Sequence, residues 1–122
     1  MDARHRSGRR AEDAVVELLF ARGFEILARN VRVGALELDV IARRAELGVI
    51  VEVRTRGRGS FVGGLGSIDA KKRASLIRGA ERYWRGTLSK VPGIERVRID
   101  VAAVSFEAER THIEYIEAAL TA

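Results

Sequence analysis

Two hydrophobic rhythms run along the chain, and their order predicts its elements. From Gly8 to about Arg22, Val15, Val16, Leu19 and Phe20 recur at the spacing of a helix face, so "GRRAEDAVVELLFAR" is expected to be helical. Gly23 follows where a helix commonly stops. "FEILARNVRV" has a ragged strand pattern. "ALELDVIARR" alternates, with Leu36, Leu38 and Val40 against Glu37, Asp39 and Ile41. In "VIVEVRTR", Val49, Val51 and Val53 make an apolar face, and Ile50, Glu52, Arg54 and Arg56 the other. A Gly-rich loop, "GRGSFVGGLGS", precedes a second helix, "IDAKKRASLIRGAERYWRG", with Ala74, Ile77, Ala80, Tyr83 and Trp84 roughly on one side. "TLSKVPG" is a loop, "ERVRIDVAAVSF" a fourth strand, and "HIEYIEAA" a short fifth at an edge. Three sequential strands predict an antiparallel meander. The helical crossover then delivers a strand parallel to its neighbour. The expected architecture is an α/β sandwich with helices on both faces of the sheet.

The second and third strands test each other. If Ala45 and Glu46 form a two-residue hairpin turn, Asp39 falls opposite Glu52 and Glu37 opposite Arg54. Those four side chains then share one polar cluster. "AE" is a poor turn sequence, so the shared face is better founded than the register. Two opposed carboxylates repel and raise each other's pKa. A divalent cation removes that conflict, because hard ions take carboxylate oxygens, water and phosphate. The plainer reading is an exposed polar face with Glu37 and Arg54 as a cross-strand ion pair, and at this point the two stand level.

The 122 residues suit one domain. Hydrophobic residues at 47% and charged residues at 32% fit a globular chain. No apolar run approaches the ~20 residues of a membrane helix, and "MDARHRSGRR" has no apolar segment behind it to make a signal peptide. The absence of cysteine excludes disulfides and thiolate metal sites and fits a reducing, cytoplasmic setting. The net charge of +5 favours polyanionic partners, either nucleic acid or an anionic surface. "RHRSGRR" is expected to be a mobile basic arm over residues 1–7.

Several motifs in order carry a resemblance: "GRRAEDAV", "LARNVR", "LELDVIA", "VIVEVRTR", "IDAKKRASLIRGAERYW" and "VRIDVAAV". Over about Gly8 to Phe106 the chain resembles the YraN-like uncharacterised protein family, family 0102 of the uncharacterised series. That family looks like a member of the PD-(D/E)xK nuclease superfamily and is similar to archaeal Holliday-junction resolvases. The resemblance implies a restriction-endonuclease-like αβββαβ core, a mixed sheet flanked by helices, with a short C-terminal edge strand. It implies a metal-dependent nuclease acting on DNA, branched or structured substrates included. By position, Glu12 matches the helix glutamate, Asp39 the metal-binding aspartate and Glu52 the third-strand acid. Arg54 stands where the superfamily has its catalytic lysine. Lys72 matches a lysine of the second helix, with Lys71 a close rival. Asp100 matches a strand aspartate whose expected role is a core or interface contact.

The implied metal ligands are thus Glu12, Asp39 and Glu52, for one Mg²⁺ or Mn²⁺ or for two, with Arg54 completing the catalytic set. Arg56, Arg58, Lys71, Lys72 and Arg73 are the implied nucleic-acid contacts. The chain departs from the family at Leu36, where a glycine is usual, and at Arg54. An arginine stays protonated and cannot act as a general base, though it can hold a phosphate. A non-catalytic nucleic-acid-binding protein that retains the nuclease fold is therefore the alternative. An assembly protein with an ion-pair cluster is a weaker third. No membrane partner is expected, and a homodimer is expected only by analogy with nucleases that cut two strands.

The remaining signals are weaker. The Gly-rich loop lacks the phosphate-loop pattern and is read as a flexible loop. Tyr83 and Trp84 suit core or dimer contacts better than base stacking. His5 and His112 are isolated and form no zinc set.

Overall fold

The structure, a computed structural model, describes residues 3–55 and 68–120, with side chains from residue 8. The elements in chain order are α1 (Ala3–Ala21), β1 (Glu25–Val33), β2 (Leu36–Arg44), β3 (Leu47–Thr55), α2 (Ala70–Gly86), β4 (Arg96–Glu107) and β5 (Arg110–Ile116). A short 3₁₀ turn, Leu88–Lys90, separates α2 from β4. The five strands form one sheet in the order β1-β2-β3-β4-β5. β1–β2, β2–β3 and β4–β5 are antiparallel, and β3–β4 is parallel. This is the αβββαβ order with a mixed sheet and an added edge strand that the sequence predicts. The helix begins at Ala3 rather than Gly8, so its backbone takes in residues expected to form an arm. The Gly-rich loop, with Arg56 and Arg58, lies outside the described residues.

Alternate residues of β3 sort the molecule into layers. Val49 and Val51 pack with Ala11, Val15 and Leu19 of α1 on one face. Ile50 packs with Leu38, Ile41 and Ala80 on the opposite face, against α2. Burying each such side chain contributes roughly 1.5–3 kcal/mol. Phe20 departs from its expected place: it is 76% exposed, because it lies off the stripe that carries Ala11, Val15 and Leu19. Tyr83 and Trp84 are half-buried against the α2-side core, in keeping with the packing role expected of them. α2 starts at an Asp69 cap, whose carboxylate accepts from the Lys72 N–H at 2.8 Å. Further along, Gly79 is buried so close to β2 that a Cβ there would collide with Leu36 Cδ2.

The β2–β3 hairpin has the predicted register. Arg44 pairs with Leu47 and Val40 with Val51, leaving Ala45 and Glu46 as the turn. Ala45 takes the left-handed conformation, φ 53, that a tight hairpin turn demands. The Glu46 carbonyl then accepts from Glu95 N–H at 2.8 Å, tying the turn to the start of β4.

Asp100 on β4 is fully buried at 0% exposure. Arg98 grips both of its oxygens, Nε to Oδ1 at 2.8 Å and Nη2 to Oδ2 at 3.0 Å. Tyr115 Oη donates to it at 2.6 Å and the Ala118 N–H at 2.8 Å. Four donors on one carboxylate satisfy it and fasten the segment after β5 onto β4. The sequence-based expectation of a core contact matches this arrangement.

Candidate metal centre

β2 and β3 part company at the centre of the sheet. Their described ladder runs from Arg44–Leu47 to Val40–Val51. Beyond it, β3 continues beside β4 to the Thr55–Val104 pair, while β2 continues beside β1 to Val33–Leu36. Asp39 and Glu52 are the next residues on the two strands, at the mouth of this fork. Asp39 Oδ2 accepts the Val53 N–H at 2.8 Å, so a side chain takes a donor that a continuing ladder would give to a carbonyl.

The clean alternation expected for β2 breaks at this residue. Leu38 packs on the α2 side and Val40 on the α1 side, although they are two residues apart. A regular strand would send Asp39 toward α2 with Ile41. The break turns its carboxylate into the fork instead. Glu37, next to the α2-facing Leu36 and Leu38, lies toward the α1 side, where Glu12 stands on its helix.

The result is an acidic cluster assembled from two elements. Among the described residues, one oxygen each of Glu12, Glu37 and Asp39 lie within 4.8 Å of one another. Asn30 on β1 stands opposite Asp39, between the Arg29–Val40 and Val31–Leu38 pairs. Its amide reaches Glu12 Oε1 and Oε2 at 3.0 and 3.1 Å and Glu37 Oε1 at 3.1 Å. Asn30 does this from a left-handed backbone, φ 53, a conformation asparagine tolerates better than other side chains. Arg29 Nη2 adds a bond to Asp13 at 2.8 Å and a contact to Glu12 Oε1 at 3.6 Å. The cleft in front, lined by Gly8, Arg9, Glu12, Asp13, Arg29, Asn30 and Glu37, has a volume of about 730 Å³ and opens to solvent.

Glu52 stands on the other side of Asp39. It is one of two buried charged residues in the described chain, at 6% exposure. Burial and then the adjacent Asp39 charge push its pKa up to about 8, against the pull of Lys72 and Arg54. Burial likewise raises Asp39, with the Val53 N–H opposing and the Glu37 charge adding to it. Glu12 is raised by burial and by Asp39, with the Asn30 amide opposing. Asp39 and Glu52 lie close enough for each carboxyl to bear on the other's titration, the Asp39 charge raising Glu52. Arg54 Nη1 lies 3.6 Å from Glu52 Oε1.

The sequence-derived residues fall as follows. Glu12 and Asp39 enter the three-acid cluster, and Glu52 adjoins it through Asp39. Glu37, placed from sequence in a polar cluster with Asp39, Glu52 and Arg54 but not among the implied metal ligands, is the third acid of the cluster. Of the two rival lysines, Lys72 is the one whose charge bears on Asp39 and Glu52, while Lys71 and Arg73 are exposed. Asn30 had no place in the sequence-based site. Its one signal was a poor strand former within "LARNVRV".

These features define an αβββαβ domain with a carboxylate-lined fork in its sheet. The chain belongs to the uncharacterised protein family UPF0102, whose model matches residues 11–104. A UPF0102 protein of Sorangium cellulosum is 57% identical over 120 residues, covering 97% of this chain and 83% of that protein. One from Bordetella avium is 44% identical over 107 residues, covering 88% and 70%. Among solved structures, SfsA of Pyrococcus furiosus in complex with Ca²⁺ aligns with TM-score 0.44 and 14% identity, over 89% of this chain and 63% of its own. A fdxN element excision controlling factor from Anabaena variabilis aligns with TM-score 0.39 and 17% identity, over 87% and 97%. No helix among the described residues is long and apolar enough to cross a membrane.

Proposed function

We propose that the fork is the active site of a metal-dependent nuclease acting on DNA, with branched or structured substrates included. The observation that carries this reading is the convergence of Glu12, Glu37 and Asp39 within 4.8 Å, with the buried Glu52 pressed against Asp39. The donor set is all oxygen and anionic, which suits a hard divalent ion such as Mg²⁺ or Mn²⁺. Burial and mutual repulsion raise Glu12, Asp39 and Glu52 together, a conflict that a cation relieves. Glu12, Glu37 and Asp39 would hold the ion, with Glu52 supporting Asp39 from behind.

When bound, such an ion supplies a more acidic water and neutralises charge on a phosphodiester. The chain's own residues supply the rest. Asp39 is aimed by the Val53 N–H, which fixes one oxygen and leaves the other for a ligand. Asn30 orients Glu12 and Glu37. Glu52, whose carboxyl burial and the Asp39 charge push up to about 8 in the metal-free protein, backs Asp39 from the side away from Glu12 and Glu37. Arg54 and Lys72, cations beside the fork, hold phosphate oxygens and offset the charge that develops on them.

Cleavage assays on duplex, single-stranded and branched DNA with Mg²⁺ or Mn²⁺ test the reading. Asp39→Asn is expected to abolish metal-dependent cleavage with an unchanged far-UV CD spectrum, and equal activity in that variant counts against it. Arg54 at the usual lysine position favours the second reading, a nucleic-acid-binding domain without catalysis. Calorimetry with Mg²⁺ on the wild type, Asp39→Asn and Glu52→Gln, run beside the cleavage panel, separates the two.

A further inference from the structure

The charge excess of this chain is concentrated on one helix. α2 carries Lys71, Lys72, Arg73, Arg78, Arg82 and Arg85 against a single acid, Glu81. That surplus of five equals the net charge of the whole chain, +5. At about 100° per residue, Lys71, Arg78, Arg82 and Arg85 fall within roughly 60° of arc on the helix. All four are exposed, while Leu76, Gly79 and Ala80 bury the inner side. From Lys71 to Arg85 the row extends roughly 21 Å at 1.5 Å per residue. It starts beside Lys72 and the carboxylate fork and leads away from them. A groove of about 350 Å³ runs along it, between Ser75, Arg78, Gly79 and Arg82 of α2 and the β1–β2 turn at Val33–Leu36.

We propose that this row receives the phosphodiester backbone of a duplex nucleic acid, with Arg78 and Arg82 as its central contacts. The direction of the duplex toward the fork rests on the nuclease reading, whereas the contact itself requires no metal. Arg78 and Arg82 are like charges at i and i+4, an arrangement that opposes helix formation and that a line of phosphates relieves. Glu81 borders the row and offsets part of the repulsion.

Two other occupants fit less well. Single strands are held largely by stacking on aromatic rings, and the aromatic residues of α2, Tyr83 and Trp84, are packed against the core. An amphipathic membrane helix inserts an apolar face, and the apolar face of α2 is already spent on Leu38, Ile41 and Ile50. A straight row of cations without a stacking platform suits a rigid duplex backbone, bound without regard to sequence.

The test is fluorescence anisotropy of the full chain with labelled 20-base-pair DNA and RNA duplexes in EDTA, over a series of NaCl concentrations. The double variant R78A/R82A is expected to bind the preferred duplex at least tenfold more weakly at 0.1 M salt. Loss of two phosphate contacts should reduce the magnitude of the log K against log[salt] slope by about 1.8. R78K/R82K should restore the slope, and R110A, on the edge strand β5, should leave it unchanged. Because binding is read in EDTA, where no metal-dependent cleavage takes place, failure of the row and failure of the nuclease reading are distinguishable. Wild-type slope and affinity in R78A/R82A, with a native CD melt, overturn the proposal. So does loss of binding to phosphatidylserine vesicles in that variant with duplex binding intact.

Discussion

Replacing Glu52 by glutamine should remove a pH-dependent weakness from the metal-free protein. The folded Glu52 carboxyl holds its proton up to about pH 8, while the unfolded chain releases it near the ordinary value of 4.5. Between those two values the native state binds more protons than the unfolded state, so stability falls as pH rises. Each pH unit across this interval costs the folded state about 1.36 kcal/mol. Between about pH 5.5 and 8, above the range where most surface carboxylates titrate, the unfolding free energy should therefore drop by roughly 3 kcal/mol. That is a sizeable share of the roughly 5–15 kcal/mol typical of a domain. Glu52→Gln keeps the volume and a hydrogen-bonding end but cannot ionise. Its urea-unfolding free energy in EDTA should be flatter over this window and exceed that of the wild type above pH 8. Millimolar Mg²⁺ should flatten the wild-type profile too, because the ion takes over the neutralising role of the proton. Parallel profiles for wild type and Glu52→Gln from pH 5.5 to 9 would refute the account of burial and Asp39 repulsion at this residue.

Three further outcomes are expected. Asp100→Ala leaves the half-buried Arg98 guanidinium the exposed Glu117 carboxylate at 3.7 Å in place of its two-point partner and should lower the urea-unfolding free energy by about 3–5 kcal/mol; Tyr115→Phe, which removes one donor, should lower it by about 1–3 kcal/mol, and a loss below 1 kcal/mol in both would contradict the network. Asn30→Gly keeps a residue that accepts φ 53 but deletes the amide, so the Glu12 pKa, read by carboxyl ¹³C NMR, should rise further; an unchanged titration would show that the amide does not restrain Glu12. Phe20→Ser should leave stability within about 0.5 kcal/mol by the same urea assay, since that ring is mostly in water, and a larger loss would mean Phe20 has a packing role.

Strand order, strand directions and even the β2–β3 register were legible because local patterns determine them. Alternation in β3 marks two faces, and a two-residue turn at Ala45–Glu46 sets the pairs from Arg44–Leu47 to Val40–Val51. Asp39 and Glu52 were legible as neighbours for the same reason. What the pattern could not disclose is the reversal at Asp39. Period-two reasoning assumes that Leu36, Leu38 and Val40 continue on one face, and only a tertiary contact, the Val53 N–H on the Asp39 carboxylate, reveals the break. Glu37 was placed in the polar cluster with Asp39, Glu52 and Arg54, yet it was left out of the implied metal ligands, because the pattern gave no sign that it would meet Glu12. Asn30 escaped because its contribution depends on a left-handed φ and on a helix brought near from eighteen residues upstream. Phe20 was misplaced because the arc that α1 buries is centred on Ala11, Val15 and Leu19 and reaches Val16 only in part, leaving Phe20 outside it.

The irregular β1 has a second effect, on association. As an outermost strand it presents free backbone groups to any passing chain, the usual starting point for sheet-to-sheet aggregation. Between Ile26 and Ala28 the register shifts, and at Asn30 the backbone turns left-handed, so that border is no longer a straight template. The distortion that delivers an amide to the carboxylates thus also protects the protein from pairing with itself along this side.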